Sequence, residues 1–162
     1  MRMSERCKVD IVIDTNVLSY ADNFQVAFEP TCLALLEWLA DSNLAWVLDD
    51  NGKSAPDPMT SVLYAEYTST LSPQGYALTL FTHFLITGRC SFVRRPDQAT
   101  AQKIRRLVPK NARDRTILGA AVGSYDRILV SSDYADFPDA VRYEAARHLN
   151  VDIMDPGECA VA

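Results

Sequence analysis

Four acidic residues hold most of the chemistry that this 162-residue sequence offers. Asp14 directly follows the β-branched run VDIVI at Val9–Ile13, and Asp133 follows the uncharged run Ile128–Ser131. Asp114 opens a small-residue segment over Ala112–Ser124, and Glu66 lies four residues after Val62 within Met59–Leu71. Taken singly, each has an ordinary reading. Asp14 can cap a helix, Asp114 suits a helix N-terminus, Asp133 fits a turn, and Glu66 fits a solvated helix face. Taken together, three or four carboxylates in one cleft would repel strongly unless protons or a divalent cation neutralised them. Oxygen ligands without His or Cys select Mg²⁺ or Mn²⁺. Such an ion activates water and neutralises a phosphate during in-line displacement.

The elements that must position these residues alternate in type. Strands are expected over Val9–Ile13, Trp46–Leu48, Ser91–Val93, Ile128–Ser131 and Val151–Met154, from their short apolar runs. Helical spacing marks Thr31–Ala40 (Leu33, Leu36, Leu39, Ala40), Met59–Leu71 (Met59, Val62, Leu63, Tyr67) and Asp97–Val108 (Ala101, Ile104, Leu107, Val108). Further helices are expected over Ala112–Ser124 and Ala140–His148. Another begins at Ser72-Pro73 and stops at Gly88, since Ser caps and Pro suits the first helical turn. Asp49-Asp50-Asn51-Gly52 reads as a turn, and Lys53–Pro58 as loop. Strands separated by helices imply βαβ units, a parallel sheet and the α/β class. Ligands bind beyond the carboxyl ends of such strands, which brings Asp14 and Asp133 to one sheet edge. No repeat or long linker divides residues 1–162, so a single domain is expected.

Particular motifs sharpen this. Residues Ile11–Leu18 (IVIDTNVL), Leu63–Tyr67 (LYAEY), Asn111–Arg115 (NARDR), Leu129–Phe137 (LVSSDYADF) and Val151–Glu158 (VDIMDPGE) span nearly the whole chain. In these segments the sequence resembles the PIN domain, a fold of metal-dependent ribonucleases. The resemblance implies a three-layer α/β/α sandwich with a central, mainly parallel sheet. It implies that Asp14, Glu66, Asp114 and Asp133 form an acidic quartet holding Mg²⁺ or Mn²⁺, with Asp136 as a further contact. It also implies that Asn16 and Ser131 orient the ligands by hydrogen bonds. Many small bacterial members are toxins that pair with a protein antitoxin and form homodimers, so both are expected partners. The interval from Asp14 to Glu66 is longer than in compact toxin-type members.

Two other functions compete. Phosphatases of the haloacid dehalogenase type also open with a strand and Asp-x-Asp-x-Thr. Asp14 would then be the nucleophile, with Asp133 and Asp136 on Mg²⁺. Asn16 stands where that mechanism needs a second, proton-donating Asp. A catalytically inactive scaffold binding RNA or protein is the third reading.

The net charge of −5 is ill-suited to RNA as a total, but it is unevenly distributed. Residues 89–115 carry nine Lys and Arg against two acids, a net of +7. Residues 1–88 carry four against eleven, a net of −7, and residues 116–162 three against eight, a net of −5. Phosphate binding follows local charge, so Arg105, Arg106, Lys110, Arg113 and Arg115 are candidate RNA contacts. Cys7, Cys32, Cys90 and Cys159 are too scattered for a zinc or redox pair. They read as reduced, mostly buried thiols of a cytoplasmic protein. No apolar run approaches the length of a membrane span, and the polar Met1–Lys8 does not read as a signal peptide. Reversing Arg105 and Arg106 to Glu is expected to weaken RNA binding and flatten its salt dependence. Unchanged binding in a filter assay would remove these two residues from the interface.

Overall fold

The computed structural model describes residues 2–22 and 30–159. Five strands form one sheet: β1 (Asp10–Ile13), β2 (Ala45–Asp49), β3 (Cys90–Val93), β4 (Ile128–Val130) and β5 (Asp152–Met154). Their order is β3-β2-β1-β4-β5, and every neighbouring pair is parallel. β1 and β4 are buried along their full length, as central parallel strands covered on both faces must be. The result is an α/β fold whose sheet is flanked by helices on both sides.

The helices are α1 (Met3–Arg6), α2 (Thr15–Asp22), α3 (Pro30–Asp41), α4 (Val62–Thr70), α5 (Tyr76–Ile86), α6 (Gln98–Leu107), α7 (Ala112–Gly123) and α8 (Asp139–Leu149). From β1 the chain steps to β2 and β3 on one side, then returns past β1 to β4 and β5. Right-handed crossovers therefore put α2 to α5 on one face and α6 to α8 on the other. The reversal lies between β1 and β4, the position at which parallel sheets open a crevice.

On the first face the core is aromatic. Trp46 meets Phe81 and Phe84 edge-on, with ring centroids 5.0 and 5.5 Å apart, and Tyr67 meets Phe81 at 5.0 Å. On the second face, small residues let α7 approach the chain leaving β3. A Cβ on Gly119 would lie 3.3 Å from Pro96, and one on Gly123 would lie 3.1 Å from Val93.

Several boundaries differ from the sequence expectation for identifiable reasons. The α5 segment does not begin at Ser72-Pro73. Those residues form a turn closed by the Gly75 N–H on Ser72 O, and the helix starts at Tyr76. Its Ala77 N–H is capped from outside, by the Asp22 carboxylate of α2 at 3.2 Å. Met59 is not an inward residue: it is exposed and belongs to a 3-10 turn over Pro58–Thr60, and α4 starts only after Ser61. Ala101 is exposed as well, whereas Ile104 and Val108 pack into the core. Helices α1 and α2 had no counterpart in the sequence reading. Asp14, read as able to cap a helix, directly precedes α2, whose Val17, Leu18 and Ala21 bury one face.

Asp49 links this framework to α4. The sequence reading made it a turn residue, but it ends β2 and is buried. Its carboxylate accepts from Ser61 Oγ at 2.7 Å and from the N–H groups of Val62 and Leu63 at 3.1 and 2.9 Å. These N–H groups lie at the start of α4, where no intrahelical acceptor exists. Asp49→Ala is expected to cost about 2 kcal/mol, the scale of hydrogen bonds to a buried charged group. Urea denaturation should show this as a lower midpoint with little change in slope.

Candidate metal centre

The site grows from the ends of β1 and β4. Asp14 follows β1, and its N–H donates to Val130 O at 2.9 Å, so its backbone remains in register with the sheet. Beyond β4, Ser131 Oγ donates to Asp14 Oδ2 at 2.7 Å and accepts the Asp133 N–H at 3.1 Å. One hydroxyl thereby sets Asp14 relative to Asp133. The Asp133 carboxylate also accepts the N–H groups of Ala135 and Asp136, at 2.9 and 3.1 Å. Asp114 arrives from the other direction, in the first turn of α7. Asn111 caps that helix, its Oδ1 accepting from the N–H groups of Arg113 and Asp114.

One carboxylate oxygen from each of Asp14, Asp114 and Asp133 lies within 4.8 Å of the other two. Asp14 and Asp114 are buried and Asp133 is half-buried. Asp114 is only 8% exposed, yet its Oδ2 has no hydrogen-bond partner among the described residues. A buried, unsatisfied carboxylate oxygen is costly unless a proton or cation meets it. Burial is also the main cause that pushes Asp14 up to about 6, with the charges of Glu66 and Asp133 adding to it and the Ser131 hydrogen bond opposing it. Asp114 is raised well above the usual carboxylate range. Burial is again the first cause, followed by its side-chain contact with Asp136 and by the neighbouring acids. An all-oxygen donor set with one uncompensated buried atom fits a hard divalent cation.

Glu66 and Asp136 stand outside this three-oxygen cluster. Glu66 lines the same cleft, of about 390 Å³, and pairs with Arg113 Nη1 at 3.6 Å. Asp136 accepts from Asn111 Nδ2 at 3.3 Å beside Asp114. Ser131 bonds directly to two of the three acids. Asn16 instead accepts the Ser132 N–H at 3.2 Å and so fixes the loop that carries Asp133.

The basic candidates disperse. Arg113 is exposed at the cleft mouth. Arg115 is turned toward the end of α6, donating to Val108 O and Pro109 O. Arg105 lines a different cleft, while the exposed Arg106 and Lys110 line neither.

Sequence reasoning missed Arg142. It is buried in α8 and donates from Nε to Phe137 O at 2.7 Å, and from Nη2 to Ser131 O and Asp133 O at 3.1 and 3.2 Å. Its guanidinium lies 4.0 Å over the Tyr134 ring. One side chain thus pins the 131–137 loop at three carbonyls. A signal was present: Arg142 falls on the same helical face as the buried Ala145 and Leu149. Tyr67 was read as core but does more, its hydroxyl donating to Ile13 O beneath Asp14.

No known family model matches this chain, and no curated protein matches it.

The raised Asp14 pKa fixes a sign. A carboxyl that titrates near 6 when folded and near 3.8 when unfolded binds its proton more tightly in the native state. Stability should therefore fall as pH rises through this interval in metal-free protein. Urea titrations from pH 4 to 7 should show that decline. Asp14→Asn should make it shallower, with the raised Asp114 supplying the remainder, and saturating Mn²⁺ should restore stability at the upper end.

Proposed function

We propose that this protein is a Mg²⁺- or Mn²⁺-dependent endoribonuclease of PIN type. One observation carries the reading: three carboxylates converge within 4.8 Å at the sheet's reversal point, with a buried Asp114 oxygen left uncompensated. Asp14, Asp114 and Asp133 would hold the ion. Once bound, the ion supplies a water of lowered pKa and neutralises charge on a phosphodiester. Ser131 keeps Asp14 and Asp133 in mutual register, and Arg142 holds their loop. Glu66 and Asp136 bound the cluster as outer carboxylates. Arg113 reaches over the cleft mouth to meet a phosphate oxygen, a role suited to its planar fork of donors. The N-terminal end of α7 adds a fixed positive potential beside the acids.

The phosphatase alternative requires a proton donor two residues after Asp14. Asn16 has no titratable proton, and its amide oxygen is committed to the Ser132 N–H. By resemblance, RNA is the substrate and the setting cytoplasmic, with a protein antitoxin and a second copy of the chain as partners. No helix among the described residues is long and apolar enough to cross a membrane.

Calorimetric Mn²⁺ titration and cleavage of an end-labelled RNA test the reading together. The parent should bind Mn²⁺ and cut internally. Asp14→Asn and Asp114→Asn should each reduce cutting by about 100-fold or more, the upper range for disturbing a metal's supporting groups. Variants that cut as well as the parent would overturn the mechanism. A phosphoenzyme trapped on Asp14 would favour the phosphatase, and absence of Mn²⁺ binding would favour an inactive scaffold.

A further inference from the structure

A second cleft, of about 360 Å³, lies between α6, α7 and the chain leaving β3. It is separate from the acidic cleft, and α7 stands between them. Ala112, Thr116 and Gly119 line it from the face of α7 turned away from Asp114, so the two clefts are about one helix thickness, roughly 10 Å, apart.

Four arginines line this cleft, Arg94, Arg95, Arg105 and Arg115. Arg95 donates to Asn51 Oδ1 at 2.8 Å, and Arg115 holds the end of α6. Arg94 and Arg105 are exposed, and neither side chain has a hydrogen bond or ion pair among the described residues. The one acid on the lining, Asp49, is already satisfied by Ser61, Val62 and Leu63. Uncompensated positive charge is therefore concentrated here. Between the arginines the floor is apolar, formed by Pro96 seated on Gly119 and by Ile104.

An apolar floor ringed by planar cations matches a flat base joined to a phosphate. The base loses water against Pro96 and Ile104, and the guanidinium planes stack on it or fork onto phosphate oxygens. The volume falls in the range of small-ligand sites. We propose that this cleft receives one nucleotide of a single-stranded RNA, whose neighbouring residues cross the N-terminus of α7 to reach the acidic cleft. The proposal deepens the ribonuclease reading and rests on it for the choice of strand. Arg113, exposed at the crossing, then becomes the point at which the strand passes between the clefts.

The test uses the full chain and a fluorescent single-stranded RNA oligomer, with binding followed by anisotropy across a salt series. Arg94→Ala with Arg105→Ala should weaken binding about tenfold or more and reduce the salt slope by about 1.4, the value for two lost contacts to a single strand. Arg94→Lys with Arg105→Lys should recover most of the salt slope, since charge is retained. Ala101→Glu, at an exposed position on the lining, should weaken binding independently by placing a carboxylate in the cleft. Circular dichroism checks that each variant is folded.

Parent-like binding by the double alanine variant and by Ala101→Glu would overturn the proposal. So would failure of the parent to bind RNA, or saturation of the cleft by adenosine monophosphate in a protein that ignores the oligomer. Mn²⁺ titration is read separately. Loss of the metal reading with arginine-dependent RNA binding intact would discard the nuclease and keep the cleft. The converse pattern would discard the cleft and keep the nuclease.

Discussion

Asp14, Asp114 and Asp133 repel one another, and burial strengthens the repulsion because little water is present to screen it. Much of the surrounding architecture holds them together regardless. β1 and β4 are adjacent parallel strands, so the residues following them emerge side by side. The Ser131 hydroxyl bridges two of the three acids, donating to one and accepting from the backbone of the other. Asn111 begins α7 at the point that turns Asp114 toward them. The free energy needed to keep such a cluster comes from the core around it, and it is recovered when a proton or cation enters.

Support for the cluster comes from both faces of the sheet. From one side, α4 is fixed to the end of β2 by Asp49, and its Tyr67 hydroxyl holds Ile13 O just before Asp14. From the other, Arg142 of α8 gathers the carbonyls of Ser131, Asp133 and Phe137. The two anchors differ in kind. Asp49 is an anion at a helix start, where N–H groups have no acceptor of their own, whereas Arg142 is a cation among carbonyl oxygens. The remaining Arg142 nitrogen, Nη1, is buried without a partner among the described residues. The loop beyond β4 is thus held by a side chain that has itself been taken out of water.

The sheet and the positions of Asp14, Asp114 and Asp133 were legible because their signals are local. Short β-branched runs mark the strands, and an acid directly after such a run must sit at the carboxyl edge. The start of α5 was illegible because its cap, Asp22, lies more than fifty residues away in sequence. Asp49 was misread for a similar reason: Asp-Asp-Asn-Gly reads as a turn until α4 supplies the donors. Glu66 lines the cleft of the three acids but stands outside their cluster, and its pairing with Arg113 depends on how α4 and α7 meet, which no spacing rule contains. The basic block was visible as a count. Its division between two clefts, with Arg113 on one side and Arg115 on the other, was set only by the rotation of α7.

The position of Asp14 in the sheet order has a kinetic consequence. β1 is the central strand, paired on both sides, and the Asp14 N–H belongs to its ladder. Freeing that residue would require the sheet itself to part, which in a domain of this kind is close to global unfolding. Asp114 and Asp133 sit instead on a helix terminus and a loop, where openings are local and less costly. The cluster therefore has one member held by the sheet ladder and two held by side-chain hydrogen bonds to a helix terminus and a loop. β1 therefore serves as the fixed reference against which α7 and the 131–137 loop place the other two acids.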